Sequence, residues 1–119
     1  MSLILLQRDF GTHLWVRVKG APSLDDLLSL VDEVAQTTRE RGLRRLLVDL
    51  SLVESVPDGE GQTALGRHVA KQMAHLERMA SVVPSDKRTG NSERAARAEG
   101  MQLQVFVDEE EARGWLLED

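Results

Sequence analysis

The chain has 119 residues, a formal net charge of −5 and 41% hydrophobic residues, enough for one domain with a single core, residues 1–119. It has no cysteine, which excludes a disulfide framework and a thiolate metal site. The acidic balance argues against non-specific nucleic-acid binding, and Phe10, Trp15, Phe106 and Trp115 are too few aromatics for a base-stacking platform.

No apolar run approaches the roughly 18 residues of a membrane span. Residues 1–6 lack the basic flank of a signal peptide, so the expected location is the cytoplasm.

Residues 3–7 predict a short strand, and 8–11 a turn with Gly11 at positive φ. Residues 12–19 alternate, with Leu14, Val16 and Val18 on one side and His13, Trp15, Arg17 and Lys19 on the other, so the two strands form a hairpin. His13 is expected at the surface. Trp15 either covers the second face of the sheet or marks a contact for self-association through an open first strand.

Gly20-Ala21-Pro22 breaks the strand. Ser23 and Asp26 make a capping-box pair, and Leu27, Leu28, Val31, Val34 and Ala35 recur at helical spacing up to Gly42, a C-terminal cap. Arg39, Arg41, Arg44 and Arg45 complement the dipole at this end. Residues 43–50 follow, and the run Leu46-Leu47-Val48 marks a strand covered on both faces. A long loop, 51–61, leads to a helix with the stripe Leu65, Val69, Met73 and Leu76. Residues 78–83 are a strand, 84–91 a polar loop, 92–99 a short helix stopped by Gly100, and 101–107 the last strand. Asp108 caps an acidic first turn before Trp115 and Leu116.

The fold class is therefore α/β: one domain in the order β-β-α-β-α-β-α-β-α, with a mixed, mostly parallel five-stranded sheet whose first strand is antiparallel. Ligands of open parallel sheets bind outside the carboxyl ends of the strands, which directs attention to the loops 51–61 and 84–91. The first carries Glu54, Asp58 and Glu60 near a helix N-terminus, with Asp58 as an expected cap and Ser55 and Gly59 beside it. It does not fit a phosphate-binding loop, because no Gly-Lys-Ser/Thr follows and Glu60 repels phosphate. The second places Lys87 and Arg88 just before a helix, where they are candidates for holding an anion.

Catalytic templates are absent. His68 and His75 stand without a His-Glu-x-x-His motif, no Gly-x-Ser-x-Gly elbow occurs, and nothing in the sequence raises the pKa of one carboxylate of a pair. No enzyme activity, metal or cofactor is expected.

The strand Leu46-Leu47-Val48-Asp49-Leu50-Ser51 with its loop-to-helix turn resembles the STAS domain. The segment Ala74-His75-Leu76-Glu77-Arg78-Met79-Ala80 and the ending from Val105 to Leu116, with its acidic turn and Trp-Leu, are similar to the SpoIIAA-like branch of that superfamily. The resemblance covers nearly the whole chain. It implies a regulatory, protein-binding module, with the partner reading Glu54, Ser55, Asp58, Gly59, Glu60, Arg67 and Lys71. Classical members carry a phosphorylatable serine in an Asp-Ser-Ser-Gly context. Pro57-Asp58-Gly59 falls there, so the resemblance implies a module without that phosphoswitch. The branch is also similar in fold to CRAL-TRIO lipid-binding domains, which raises a small apolar ligand as the alternative. A partner protein, a homodimer and such a ligand are thus the expected partners.

Overall fold

The structure, a computed structural model, describes residues 3–118. Its elements are β1 (Leu3–Asp9), β2 (Leu14–Gly20), α1 (Leu24–Arg41), β3 (Arg45–Val53), α2 (Gly59–Gln72), β4 (Arg78–Val82), a 3-10 turn (Ser85–Lys87), α3 (Asn91–Ala98), β5 (Leu103–Phe106) and α4 (Glu109–Leu116). The strands lie in the sheet in chain order, β1-β2-β3-β4-β5. β1 runs antiparallel to β2, and the remaining pairs are parallel. This is the expected α/β architecture.

Local chemistry sets the ends of α1. The Ser23 hydroxyl accepts from Asp26 N–H and the Asp26 carboxylate accepts from Ser23 N–H, at 3.0 and 2.9 Å, which satisfies two free amides of the first turn. Gly42 closes the helix at φ 66°, where a side chain would be strained. The inward stripe is Leu27, Leu30, Val31, Val34, Ala35 and Thr38. Leu30 takes the core position expected for Leu28, which is half-buried.

Two cores flank the sheet. On one face α1, α2 and α3 enclose Leu14, Val16, Val18, Leu46, Val48, Met79 and Leu103. On the other, α4 packs Ala112 and Leu116 against Leu47, Ala80 and Val82, with Trp15 and Trp115 at the margin. Leu46-Leu47-Val48 thus feeds both cores, as a strand covered on both sides must. Trp15 covers part of the second face, and its Nε1 donates to Glu109 Oε1 at 3.3 Å.

His13 departs from expectation: it is buried, 4% exposed. It does lie on the side of β2 that carries Trp15, but Phe10 stacks on its ring at 5.2 Å. Its Nδ1 meets Thr12 Oγ1 at 2.9 Å, and its Nε2 has no partner among the described residues. Burial, then the nearby Arg113 charge, lower its pKa, with Asp9 opposing. His75 is lowered in the same direction by burial and by Arg39 and Arg44. A histidine held neutral in the native state protonates first in the unfolded chain. Its contribution is therefore intact above an unfolded pKa of about 6.5 and is lost as pH falls through the lower folded value. Denaturation midpoints are expected to fall as pH drops below about 6.5, and His13→Phe should flatten that slope. An unchanged slope in His13→Phe would remove His13 from the account.

Candidate functional site

The carboxyl ends of β2, β3, β4 and β5 define one edge of the sheet, as expected. β3 runs to Val53 because Leu52 and Val53 pair with Lys19 and Gly20 after an irregularity at residues 17–19. The expected long loop 51–61 is therefore a short one, 54–58, since both ends of the predicted segment belong to β3 and α2. Glu54 N–H donates to Gly20 O at 2.7 Å, tying the loop to the end of β2.

Asp58 is the N-cap of α2, and its Oδ1 accepts from Gly61 N–H at 2.8 Å. Gly61 is required here: a Cβ would stand 2.7 Å from the Pro57 Cβ. Glu54, Ser55, Asp58, Gly59 and Glu60 are all exposed. Along α2, Glu60, Ala64, Arg67 and Lys71 are exposed at helical spacing, so they form one outward stripe continuous with the loop. All seven residues expected to read a partner are thus exposed, four of them in or beside the loop 54–58 and Glu60, Arg67 and Lys71 along one stripe of α2. Glu60, Arg67 and Lys71 form no ion pair among the described residues.

Beneath this surface lies a cavity of about 100 Å³ between α1, α2 and the sheet. Its apolar wall includes Leu27, Val31, Leu65, Met73, Met79 and Val105, while Lys87, Arg88 and Thr89 sit at its rim. Ser81, 8% exposed, is a polar residue in this wall. Gln62 joins the two loops of the edge. Its Nε2 donates to Pro57 O at 2.8 Å, and its Oε1 accepts from the Thr89 hydroxyl. Gln62 is 9% exposed. Sequence reasoning missed it, although it stands three residues before Leu65 on the inward stripe, where a polar side chain needs a partner. Lys87 lies 3.4 Å from Asp86, and Arg88 donates to Val105 O at 3.3 Å.

A second polar cluster lies under the α4 side of β3. Asp49, 2% exposed, accepts from Arg17 Nε at 2.7 Å and from Ser51 N–H at 2.9 Å. Burial pushes its carboxyl up, but the Ser51 hydrogen bonds and the Arg17 guanidinium outweigh it and hold the pKa below the ordinary value. His68 and His75 both contact α1. His68 Nε2 lies 2.8 Å from Asp32 Oδ1, and His75 Nε2 lies 2.7 Å from Thr38 Oγ1. Among the described residues no group of three His, Cys, Asp or Glu side chains is placed to hold a metal, and no helix is long and apolar enough to cross a membrane.

A five-stranded mixed sheet with its first strand antiparallel and helices on both faces defines a single mixed α/β module. The SpoIIAA-like family profile matches residues 13–117, and the chain belongs to that family. An anti-sigma factor antagonist from Mycobacterium paratuberculosis shares the fold, with a TM-score of 0.63 at 16% identity over 98% of this chain and 96% of that one. An uncharacterised protein from Shewanella loihica with a SpoIIAA-like fold superposes with a TM-score of 0.51 at 16% identity, over 96% and 93% of the two chains. No match emerges among curated proteins.

Proposed function

We propose that this protein is a non-catalytic regulatory module that binds a partner protein through the loop 54–58 and the outward stripe of α2. The observation that carries this reading is the surface itself. Glu54, Ser55, Asp58, Gly59, Glu60, Arg67 and Lys71 are all exposed, and the charges of Glu60, Arg67 and Lys71 are left unpaired among the described residues. Structural likeness to a protein described as an anti-sigma factor antagonist supports a protein as the partner class. The cytoplasm is the compartment such a role requires. With Asp58 as the cap bonded to Gly61 N–H, the position carries a fixed single charge in place of a switchable phosphoserine.

The test separates binding from folding. Asp58 caps α2, and removing it would cost about 1 kcal/mol of stability, so it is left in place. The combination Glu60→Lys, Arg67→Glu and Lys71→Glu should abolish capture of the partner from a lysate of the source cell. Stability should fall by no more than about 1 kcal/mol per substitution, the scale of a charge reversed against the helix dipole in the first and last turns of α2, and circular dichroism confirms that the variant is folded. Capture that survives all three reversals sinks the reading.

The cavity favours a second reading, a carrier or sensor of a small apolar ligand. An apolar cavity of about 150 Å³ takes up benzene. The roughly 100 Å³ present here accepts a short apolar group but not a whole acyl chain. Lys87 and Arg88 at the rim suit an anionic head on such a group. Native mass spectrometry of protein purified from cells should then show retained ligand mass, and a short-chain carboxylate such as butanoate should raise the melting temperature. Absence of both would eliminate a ligand role.

A further inference from the structure

The two edges of the sheet are treated differently. At the β5 edge the outward backbone groups are sealed by side chains: Arg97 Nε donates to Leu103 O at 2.8 Å, Glu93 Oε2 accepts from Val105 N–H at 2.7 Å, and Arg88 donates to Val105 O at 3.3 Å. The β1 edge has no such cover among the described residues. Phe10 N–H donates to His13 O. With the register Asp9↔Leu14 to Leu3↔Gly20, the alternation of an antiparallel ladder turns the N–H and C=O of residues 4, 6 and 8 toward β2. Those of Leu3, Leu5, Gln7 and Asp9 then point away from the sheet. No strand pairs with them among the described residues.

The side chains of this edge are also unprotected. Ile4 is 50% exposed and Leu6 48%. Between residues 3 and 7 there is no charge, proline or bulge, the devices by which monomers keep an edge strand from pairing.

We propose that β1 is a self-association surface. Two copies join their β1 strands antiparallel about a two-fold axis at Leu5, making one continuous ten-stranded sheet. The strand is self-complementary in this register: Leu5 faces its own copy, Ile4 faces Leu6, and Leu3 faces Gln7. Four apolar residues of the five thus meet without a like charge across the axis, despite a net charge of −5 on each chain. Shifting the axis to Leu6 sets Leu3 against Asp9 and Ile4 against Arg8, which places charges against apolar side chains. A two-fold contact satisfies the same surface on both subunits and closes at the dimer. β1 lies at the far edge from β5, with β2 between it and β3, so both partner surfaces stay free.

Sedimentation over a wide concentration range tests this. The wild type should be a dimer that dissociates on dilution. Leu6→Lys should weaken the dimer at least ten-fold by setting an ammonium against Ile4 of the second copy. Gln7→Pro should do the same by deleting an outward N–H that β2 does not use. Ile4→Glu alone should also weaken it, whereas Ile4→Glu combined with Leu6→Lys should restore it, because residues 4 and 6 face each other only in this register. Circular dichroism confirms that each variant is folded. A wild type that stays monomeric at every concentration overturns the proposal. So does a dimer unaffected by both Leu6→Lys and Gln7→Pro, and failure of the double variant to restore association overturns the Leu5 register.

Discussion

Gly66→Ala is expected to destabilise the protein by about 1–3 kcal/mol, the usual cost of overpacking a close contact. The sign is opposite to that of the ordinary exchange, since alanine inside a helix is normally favoured over glycine by about 1 kcal/mol. Gly66 is buried in the middle of α2, where α3 crosses it. A Cβ there would lie 2.3 Å from the Ser92 carbonyl oxygen and 2.9 Å from the Ala95 Cβ. The oxygen belongs to the backbone, so no rotamer change relieves the clash and α3 must move away. That displacement strains the Gln62–Thr89 hydrogen bond and opens the rim of the cavity. Chemical denaturation should show the loss, and amide exchange should show it concentrated in α3. Gly114→Ala in α4 is the matched control: nothing lies within 4 Å of its Cβ, so that exchange should stabilise by up to about 1 kcal/mol. A gain from Gly66→Ala would mean that α2 and α3 do not pack as closely as described.

Much of the fold is legible because its signals are local. The Ser23–Asp26 box, Gly42 at positive φ and the Asp58 and Asp108 caps each involve a few neighbouring residues, and the sequence displays all of them. Alternation along β2 correctly separates Leu14, Val16 and Val18 from Trp15 and Arg17, but periodicity only assigns a side chain to a face. Whether that face is covered depends on distant elements, and for this reason His13 is buried although its pattern is polar. The length of β3 is also non-local. Ser51 resembles the start of a turn, yet Leu52 and Val53 stay in the sheet because Lys19 and Gly20 offer a register for them. At the site, the seven exposed residues follow from loop position and helix period. Gln62 and Gly66 lie on the inward stripe of α2, and their roles depend on Thr89 and Ser92, which only the packing of α3 brings near.

Asp49→Ala should cost about 2 kcal/mol. Breaking a fully buried ion pair by removing one partner costs about 3–5 kcal/mol, but Arg17 is 33% exposed and water screens part of the loss. The stranded guanidinium keeps only Glu109, 3.7 Å away, and the stacking position over Trp15, 4.8 Å from the ring centre. The Ser51 N–H loses its acceptor as well, so the exit of β3 loosens just before the loop 54–58. Asp49→Asn retains an acceptor for Ser51 and should cost less, which separates the turn from the charge. The pH dependence identifies the carboxylate. Because the folded pKa of Asp49 is lowered, its contribution is complete above the unfolded value of about 3.9 and disappears as pH falls through the folded one. The stability gap between wild type and Asp49→Ala should therefore be widest near neutral pH and shrink in strong acid. A gap that stays constant down to the acid transition would assign the loss to packing alone. If the proposed partner surface depends on the exit of β3, Asp49→Ala should also weaken partner capture while Glu60, Arg67 and Lys71 are intact, making the buried carboxylate a positioning residue for the loop 54–58.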